Sequence, residues 1–291
     1  MFAAGLLKDK RILITGGGTG LGKEIAERYL SLGAEIWIAG RRGPTLEATA
    51  RELMAKHGGT VKTHSVDIRD AQAVDAMVER IWAESGPLTG LVNNAAGNFI
   101  SPTKDLTVNG FNAIANIVFH GTCYVTHAVG KRWIAGGHKG SVVTILVTWV
   151  WTGSPYVVPS VMSKAGLHIM TKSLAVEWGR YGIRLNAIAP GPFPTEGASK
   201  RLRPDGKFED GNDTNPMRRI GVMPELQNLA TFLMAEGCEW LTGETIALDG
   251  GGYLANGAGF TELDKLSDTD WDRMRALIKT QNEKDRAGRT A

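Results

Sequence analysis

The segment Thr15-Gly16-Gly17-Gly18-Thr19-Gly20-Leu21-Gly22 is the densest chemical signal in the chain. A β-branched run precedes it and a helix-period run follows, so its glycines lie where a strand must turn into a helix. Glycine is needed where the backbone takes positive φ and where it approaches a ligand without a Cβ in the way. The free N–H groups and positive dipole end of the helix behind such a turn attract a diphosphate. The spacing is GxxxGxG (Gly16, Gly20, Gly22), not the commoner GxGxxG. In this strand–turn–helix setting it reads as a dinucleotide turn, with Gly16, Gly18, Thr19, Gly20, Leu21 and Gly22 as the expected contacts.

The end of the second apolar run selects the dinucleotide. A carboxylate there would hold the ribose 2′-hydroxyl of NAD. The chain instead reads Ile36-Trp37-Ile38-Ala39-Gly40-Arg41-Arg42. Charge-assisted hydrogen bonds to a 2′-phosphate contribute about 1.5–3 kcal/mol each, which favours NADP(H). Asp67, with Ile68 beside it, follows the third run, where a carboxylate reaches the adenine amine. Asn93-Asn94-Ala95-Ala96-Gly97 ends the fourth, and its small residues, with Asn94, Ala95 and Gly97 as contacts, allow close approach to the adenine ribose. Pro190-Gly191-Pro192, followed by Phe193, turns the chain past the nicotinamide.

These turns must be carried by regular elements, and the patterning supplies them. Strands are expected at Arg11–Thr15, Glu35–Ala39, Thr60–Val66, Gly90–Asn93, Gly140–Val147, Ile183–Ala189 and Glu244–Leu248. Helical periodicity marks Leu21–Leu32, Thr45–His57, Asp70–Ser85, Val108–Ile134, Pro159–Tyr181 and Pro224–Glu236. Such alternation predicts an α/β fold, a Rossmann-type doubly wound parallel sheet of about seven strands flanked by helices. No linker or repeat divides it, so residues 1–291 are expected to form one domain. Two segments break the rhythm: 190–216, expected to be a substrate loop with a basic cluster (Lys200, Arg201, Arg203), and a helical tail, 253–291.

Taken together, the glycine turn, the Asn93–Gly97 segment, Lys164 one turn into a long helix and the Pro190–Pro192 turn resemble the short-chain dehydrogenase/reductase family. The resemblance spans Lys10 to Gly252. The family's usual YxxxK is replaced by Ser160-Val161-Met162-Ser163-Lys164, its usual helix asparagine by Val118, and its usual serine by Val147. The SxxxK form, Ala95 to Pro102, Val157-Val158-Pro159-Ser160, and the tail with Leu266-Ser267-Asp268 and Trp271 are similar to mitochondrial-type 2,4-dienoyl-CoA reductases.

That resemblance implies roles. Asn98 would hydrogen-bond a thioester carbonyl, Lys164 would hold the nicotinamide ribose, and Ser160 would support it. Arg69, Phe99, Thr107 and Arg201 would touch an acyl-CoA. The implied reaction is hydride transfer from NADPH to the far end of a conjugated dienoyl thioester. Negative charge then gathers on the thioester oxygen, where each aimed donor is worth about 2.7–4 kcal/mol. The tyrosine expected to pair with the asparagine is Trp149 here; an indole N–H donates a hydrogen bond but is no acid near neutral pH. Trp149 and Trp151 line an acyl channel or fill core. Two other readings stay open: a carbonyl reductase using Tyr156 as its acid, or an NADP-binding sensor or subunit without catalysis. The family's long-helix face, here carrying Glu177 and Trp178, packs on a symmetry mate and implies a homotetramer.

Bulk properties agree with an enzyme of small anionic molecules. The 291 residues are 43% hydrophobic and 22% charged, with net charge +3 and no polycationic tract, which argues against nucleic acid. Cys123 and Cys238 and the six histidines lack metal-ligand spacing, and two cysteines suit a reducing compartment. No run approaches the roughly 18–20 apolar residues of a membrane span. The opening residues are too few for a signal peptide and the final Gly-Arg-Thr-Ala is no peroxisomal signal, so a cytoplasmic location is expected.

Overall fold

The computed structural model describes residues 1–195, 215–255, 263 and 265–289. Seven strands form one sheet: β1 (Arg11–Thr15), β2 (Glu35–Gly40), β3 (Val61–Ser65), β4 (Gly90–Asn93), β5 (Gly140–Ile145), β6 (Ile183–Pro190) and β7 (Thr245–Leu248). Their order is β3-β2-β1-β4-β5-β6-β7, and every pairing is parallel. The sheet is doubly wound, as expected, and both faces are covered. On β1 the side chains alternate: Ile12 and Ile14 enter one apolar layer with Leu30, Leu53 and Leu226, while Leu13 enters the other with Val78, Trp133 and Leu185.

The sheet is wrapped by α1 (Gly20–Ser31), α2 (Gly43–His57), α3 (Ala71–Ser85), α4 (Val108–Ala115), α5 (Thr122–Gly136), the short α6 (Trp149–Thr152), α7 (Val158–Trp178) and α8 (Met223–Met234). A brief α9 (Gly252–Ala255) follows β7. The chain divides into two compact units, residues 1–253 and 254–291, and the second carries α10 (Asp268–Arg289). Ser267 opens α10, its hydroxyl donating to Asp270 and its carbonyl accepting from the Trp271 N–H.

Two expectations are corrected. The single helix expected over Val108–Ile134 is interrupted by a π-helical turn, Asn116–Gly121, between α4 and α5. The helix is wedged there: a Cβ on Gly121 would stand 2.6 Å from Ile68, and one on Gly166 of α7 would stand 2.7 Å from the Phe119 ring. Such wide turns cluster at functional sites. Trp178, placed by the resemblance on an exposed face, is buried against Gly130 of α5, where a Cβ would meet its ring at 2.4 Å. The exposed apolar residues of α7 are Met162, Ile169 and Val176.

Arg184 joins β6 to the end of α8. Its guanidinium is buried and donates to the carbonyls of Leu233 and Ala235 at 3.0 Å each and to that of Leu241 at 3.4 Å. These include carbonyls that a helix C-terminus leaves without partners, and a cation is favoured at that dipole end. The Ser141 hydroxyl and the Asn186 amide also donate to the Leu233 and Leu241 carbonyls, so Arg184→Met strands the Ala235 carbonyl. The expected loss is about 1–3 kcal/mol of unfolding free energy in chemical denaturation, and an unchanged midpoint would contradict this role.

Candidate nucleotide and active site

Strands β1 and β4 are neighbours at the point where the strand order reverses, and a crevice opens there outside their carboxyl ends. Side chains lock the two ends together. The Thr15 hydroxyl oxygen accepts the N–H groups of Asn94 and Ala95 at 3.1 Å each. The Asn94 amide donates to the carbonyls of Thr15 (3.1 Å) and Gly16 (3.2 Å). Two glycines make room for that amide. A Cβ on Gly22 would lie 2.4 Å from Asn94 Nδ2 and 2.6 Å from the Gly16 carbonyl oxygen; Gly16 also holds φ at +67°. Thr19 precedes α1 without a side-chain cap, so its hydroxyl satisfies none of the first-turn N–H groups. These groups fit a diphosphate: a bare backbone cradle that any side chain would fill.

The cleft beyond this turn has a volume of about 360 Å³. It brings together Gly16, Gly18 and Thr19 from the turn, Arg41 and Arg42 past β2, and Asp67 with Ile68 past β3. Asn94 and Ala95 close it from β4. Arg41 and Arg42 are exposed, and neither makes an ion pair with a described residue. Further contributors escaped the sequence reading. Thr45 and Leu46 line the cleft from the first turn of α2, where Thr49 donates to the Gly18 carbonyl at 2.8 Å. Ile117, on the π turn, also lines it, and a Cβ on Gly97 would stand 3.4 Å from its side chain. The threonines at 45 and 49 flank Leu46 at helical spacing after the arginines, a signal visible in principle; the π turn has none.

Asp67 is not a free carboxylate. The Arg69 guanidinium donates through Nε to both of its oxygens at 2.9 Å and through Nη2 to one at 2.5 Å. Those hydrogen bonds hold the Asp67 carboxyl below its ordinary range. Arg69, which the resemblance assigned to an acyl-CoA, is thus committed to the residue expected at the adenine.

The reacting end is built on α7 and the turns that face it. Ser160 and Lys164 are one turn apart on the same face of α7, and Ser160 is buried. Lys164 Nζ donates to the Leu146 carbonyl just past β5 at 2.9 Å. Burial lowers its ammonium to about 8. Val118, standing where the family carries asparagine, is buried in an apolar cluster with Leu146 and Leu167, which offers no polar side chain. Past β4, the Asn98 side-chain Oδ1 accepts the Phe99 N–H at 2.9 Å. The Asn98 NH₂ is a donor without an acceptor among the described residues.

Other expected residues stand apart. Thr107 caps α4, its hydroxyl accepting the Gly110 N–H at 3.0 Å, so its visible role is structural. Gly191 is pressed on Asp249 and donates to the Leu248 carbonyl; Pro192 and Phe193 line a separate hollow of about 90 Å³ with Asn215 and Arg219. Trp149 begins α6, half-buried. Trp151 is neither core nor free: its ring stacks on Tyr253 at 4.9 Å and meets His168 edge-on at 5.9 Å. Tyr156 is 59% exposed with φ +64°; its carbonyl accepts the Ser101 N–H, and its hydroxyl has no partner among the described residues. Lys200, Arg201 and Arg203 lie outside the described residues.

Comparisons with known proteins place this geometry. A family model described as enoyl-(acyl carrier protein) reductase matches residues 16–253. A probable 2,4-dienoyl-CoA reductase of Caenorhabditis elegans, (3E)-enoyl-CoA-producing, is 44% identical over 85% of this chain and 81% of its own. A probable 2,4-dienoyl-CoA reductase of Bacillus subtilis, (2E)-enoyl-CoA-producing, is 37% identical over 85% and 98%. Among solved structures, a short-chain dehydrogenase from Bacillus anthracis superposes with TM-score 0.77 at 40% identity, covering 85% of this chain and 98% of that one.

The glycine cradle yields a direct test. Gly22→Ala is expected to push Asn94 off the turn and to weaken nicotinamide dinucleotide binding at least about tenfold in a fluorescence titration, because the added carbon has backbone on its other side. Unchanged affinity with native circular dichroism would show that the Asn94 lock does not shape the site.

Proposed function

The chain belongs to the short-chain dehydrogenase/reductase family, and from that membership we propose that it is an NADPH-dependent reductase of an unsaturated acyl-CoA, above all a 2,4-dienoyl-CoA. Its relatives named as dienoyl-CoA reductases support the substrate class. The observation that carries the reaction is Asn98: its side-chain Oδ1 accepts the Phe99 N–H, which fixes the amide and leaves its NH₂ group without a partner among the described residues. A donor is what a thioester oxygen gathering negative charge requires.

NADPH, when bound, supplies the hydride. Gly16 to Gly22 would hold its diphosphate, Arg41 and Arg42 its 2′-phosphate, and Lys164 its nicotinamide ribose, with Ser160 one turn away. Asn98 would stabilise the dienolate oxygen, and Phe99 and Trp149 would border the acyl chain. The dienolate can take its proton in a later step, so Ser160 in place of a phenolic acid costs this chemistry less than it would cost ketone reduction. A cytoplasmic location and assembly as a homotetramer belong to the same proposal. The two unpaired cysteines suit a reducing compartment. Met162, Ile169 and Val176, exposed at heptad spacing on α7, would supply a self-association face.

With NADPH and a 2,4-dienoyl-CoA, Asn98→Ala and Lys164→Ala are each expected to slow NADPH oxidation by about 10²–10³-fold. Absence of turnover by the unmodified protein with any dienoyl- or enoyl-CoA would overturn the proposal. The pH profile tests Lys164 separately. Burial disfavours its cation and pushes the ammonium down to about 8. Accordingly kcat/KM for NADPH is expected to fall as pH rises through about 8, and Lys164→Arg to remove that limb.

A further inference from the structure

The phosphate end of the cleft holds opposed charges side by side. Strands β2 and β3 are paired in the register Gly40↔Ser65. The arginine-bearing bend past Gly40 and the aspartate-bearing bend past Ser65 therefore leave the sheet together. They are tied by the Val66 N–H on the Gly40 carbonyl at 2.9 Å and the Ser65 hydroxyl on the Arg41 carbonyl at 3.3 Å. Arg41, Arg42 and Asp67 all line the same cleft. Asp67 feels its neighbours: besides the Arg69 hydrogen bonds, the Arg41 charge also draws its carboxyl down, so it stays ionised. An uncompensated carboxylate at this point would repel the phosphate that the two arginines attract.

Arg69 compensates it. Its side chain folds back two residues to grip both oxygens, and its own backbone N–H adds a bond at 3.1 Å to Oδ1. Two cations less one anion leave a single positive charge at Arg41, Arg42 and Asp67; Arg69 raises the excess to two. We propose that Arg69 is a cofactor-specificity residue acting through Asp67, raising the preference for a dinucleotide with a 2′-phosphate over one with a free 2′-hydroxyl by cancelling that carboxylate. The inference rests on the NADPH reading of the cleft and assigns the selectivity to a residue that need not touch the phosphate. Both partners are partly exposed, with side-chain exposures of 45% and 32%, so solvent screens the effect. A change of about threefold to tenfold, shrinking with added salt, is the scale expected.

The test is equilibrium titration of NADPH and NADH into the unmodified chain, Arg69→Gln, Asp67→Asn and the double variant, at low and high ionic strength. The affinity ratio isolates the 2′-position, because both dinucleotides carry the same adenine and lose equally from any adenine contact. Arg69→Gln is expected to lower the NADPH-to-NADH ratio by about threefold to tenfold at low salt. In the Asp67→Asn background the same substitution is expected to leave the ratio unmoved. A ratio in Arg69→Gln equal to that of the unmodified chain overturns the proposal, and so does a full effect persisting without the carboxylate. A chain that binds NADH as well as NADPH before any substitution defeats the NADPH reading itself; the change between variants still decides the role of Arg69.

Discussion

The site depends on one close approach, that of the Asn94 amide to the backbone of Gly16 across the gap between β1 and β4. The sheet can bring the ends of two strands together, but it cannot fix the angle between the turns that leave them. Here that angle is set by hydrogen bonds at 3.1–3.2 Å, and they exist only because positions 16 and 22 have no Cβ. Thr15 completes the lock from the other side, taking two N–H groups of the β4 turn on its hydroxyl. Once the lock is closed, Gly16, Gly18 and Thr19 line the crevice together with Arg41, Arg42, Asn94 and Ala95.

The reacting end shows a different economy. Lys164 is part-buried and held by a backbone carbonyl, and burial lowers its ammonium to about 8. With Ser160 rather than a phenol one turn away, the pair is poorly equipped to protonate an alkoxide. It is adequate for charge that spreads into a conjugated thioester and is met by an amide donor. In the proposed reaction, this match between weak acid and delocalised charge would link the residues at Ser160, Val118 and Val147 to a single chemistry.

Much of this was legible in the residues. The seven strands follow from short apolar runs, most deeply buried in β1, β2, β4, β5 and β6, and their ends agree with the structure to within two residues. The glycine turn was legible because the need for a missing Cβ is written in the residue type itself. Pairings between side chains were not. Nothing in the spacing of Asp67 and Arg69 says that the arginine folds back rather than outward, and Thr107 offers the same hydroxyl to a ligand or to a helix cap. The π turn was hidden for a related reason: it answers to the tight contacts of Gly121 with Ile68 and of Phe119 with Gly166, which join segments far apart in sequence.

The central claim is that hydride passes to the far end of a conjugated thioester whose oxygen is held by Asn98. Isotope transfer tests it most directly: NADPH deuterated at the transferable C4 position, incubated with a 2,4-dienoyl-CoA, followed by mass spectrometry and NMR of the product. One deuterium at carbon 5 of the acyl chain is the expected result. Label appearing instead on a carbinol carbon, from reduction of a carbonyl, would contradict the account, as would a dienoyl-CoA recovered unlabelled alongside unconsumed NADPH.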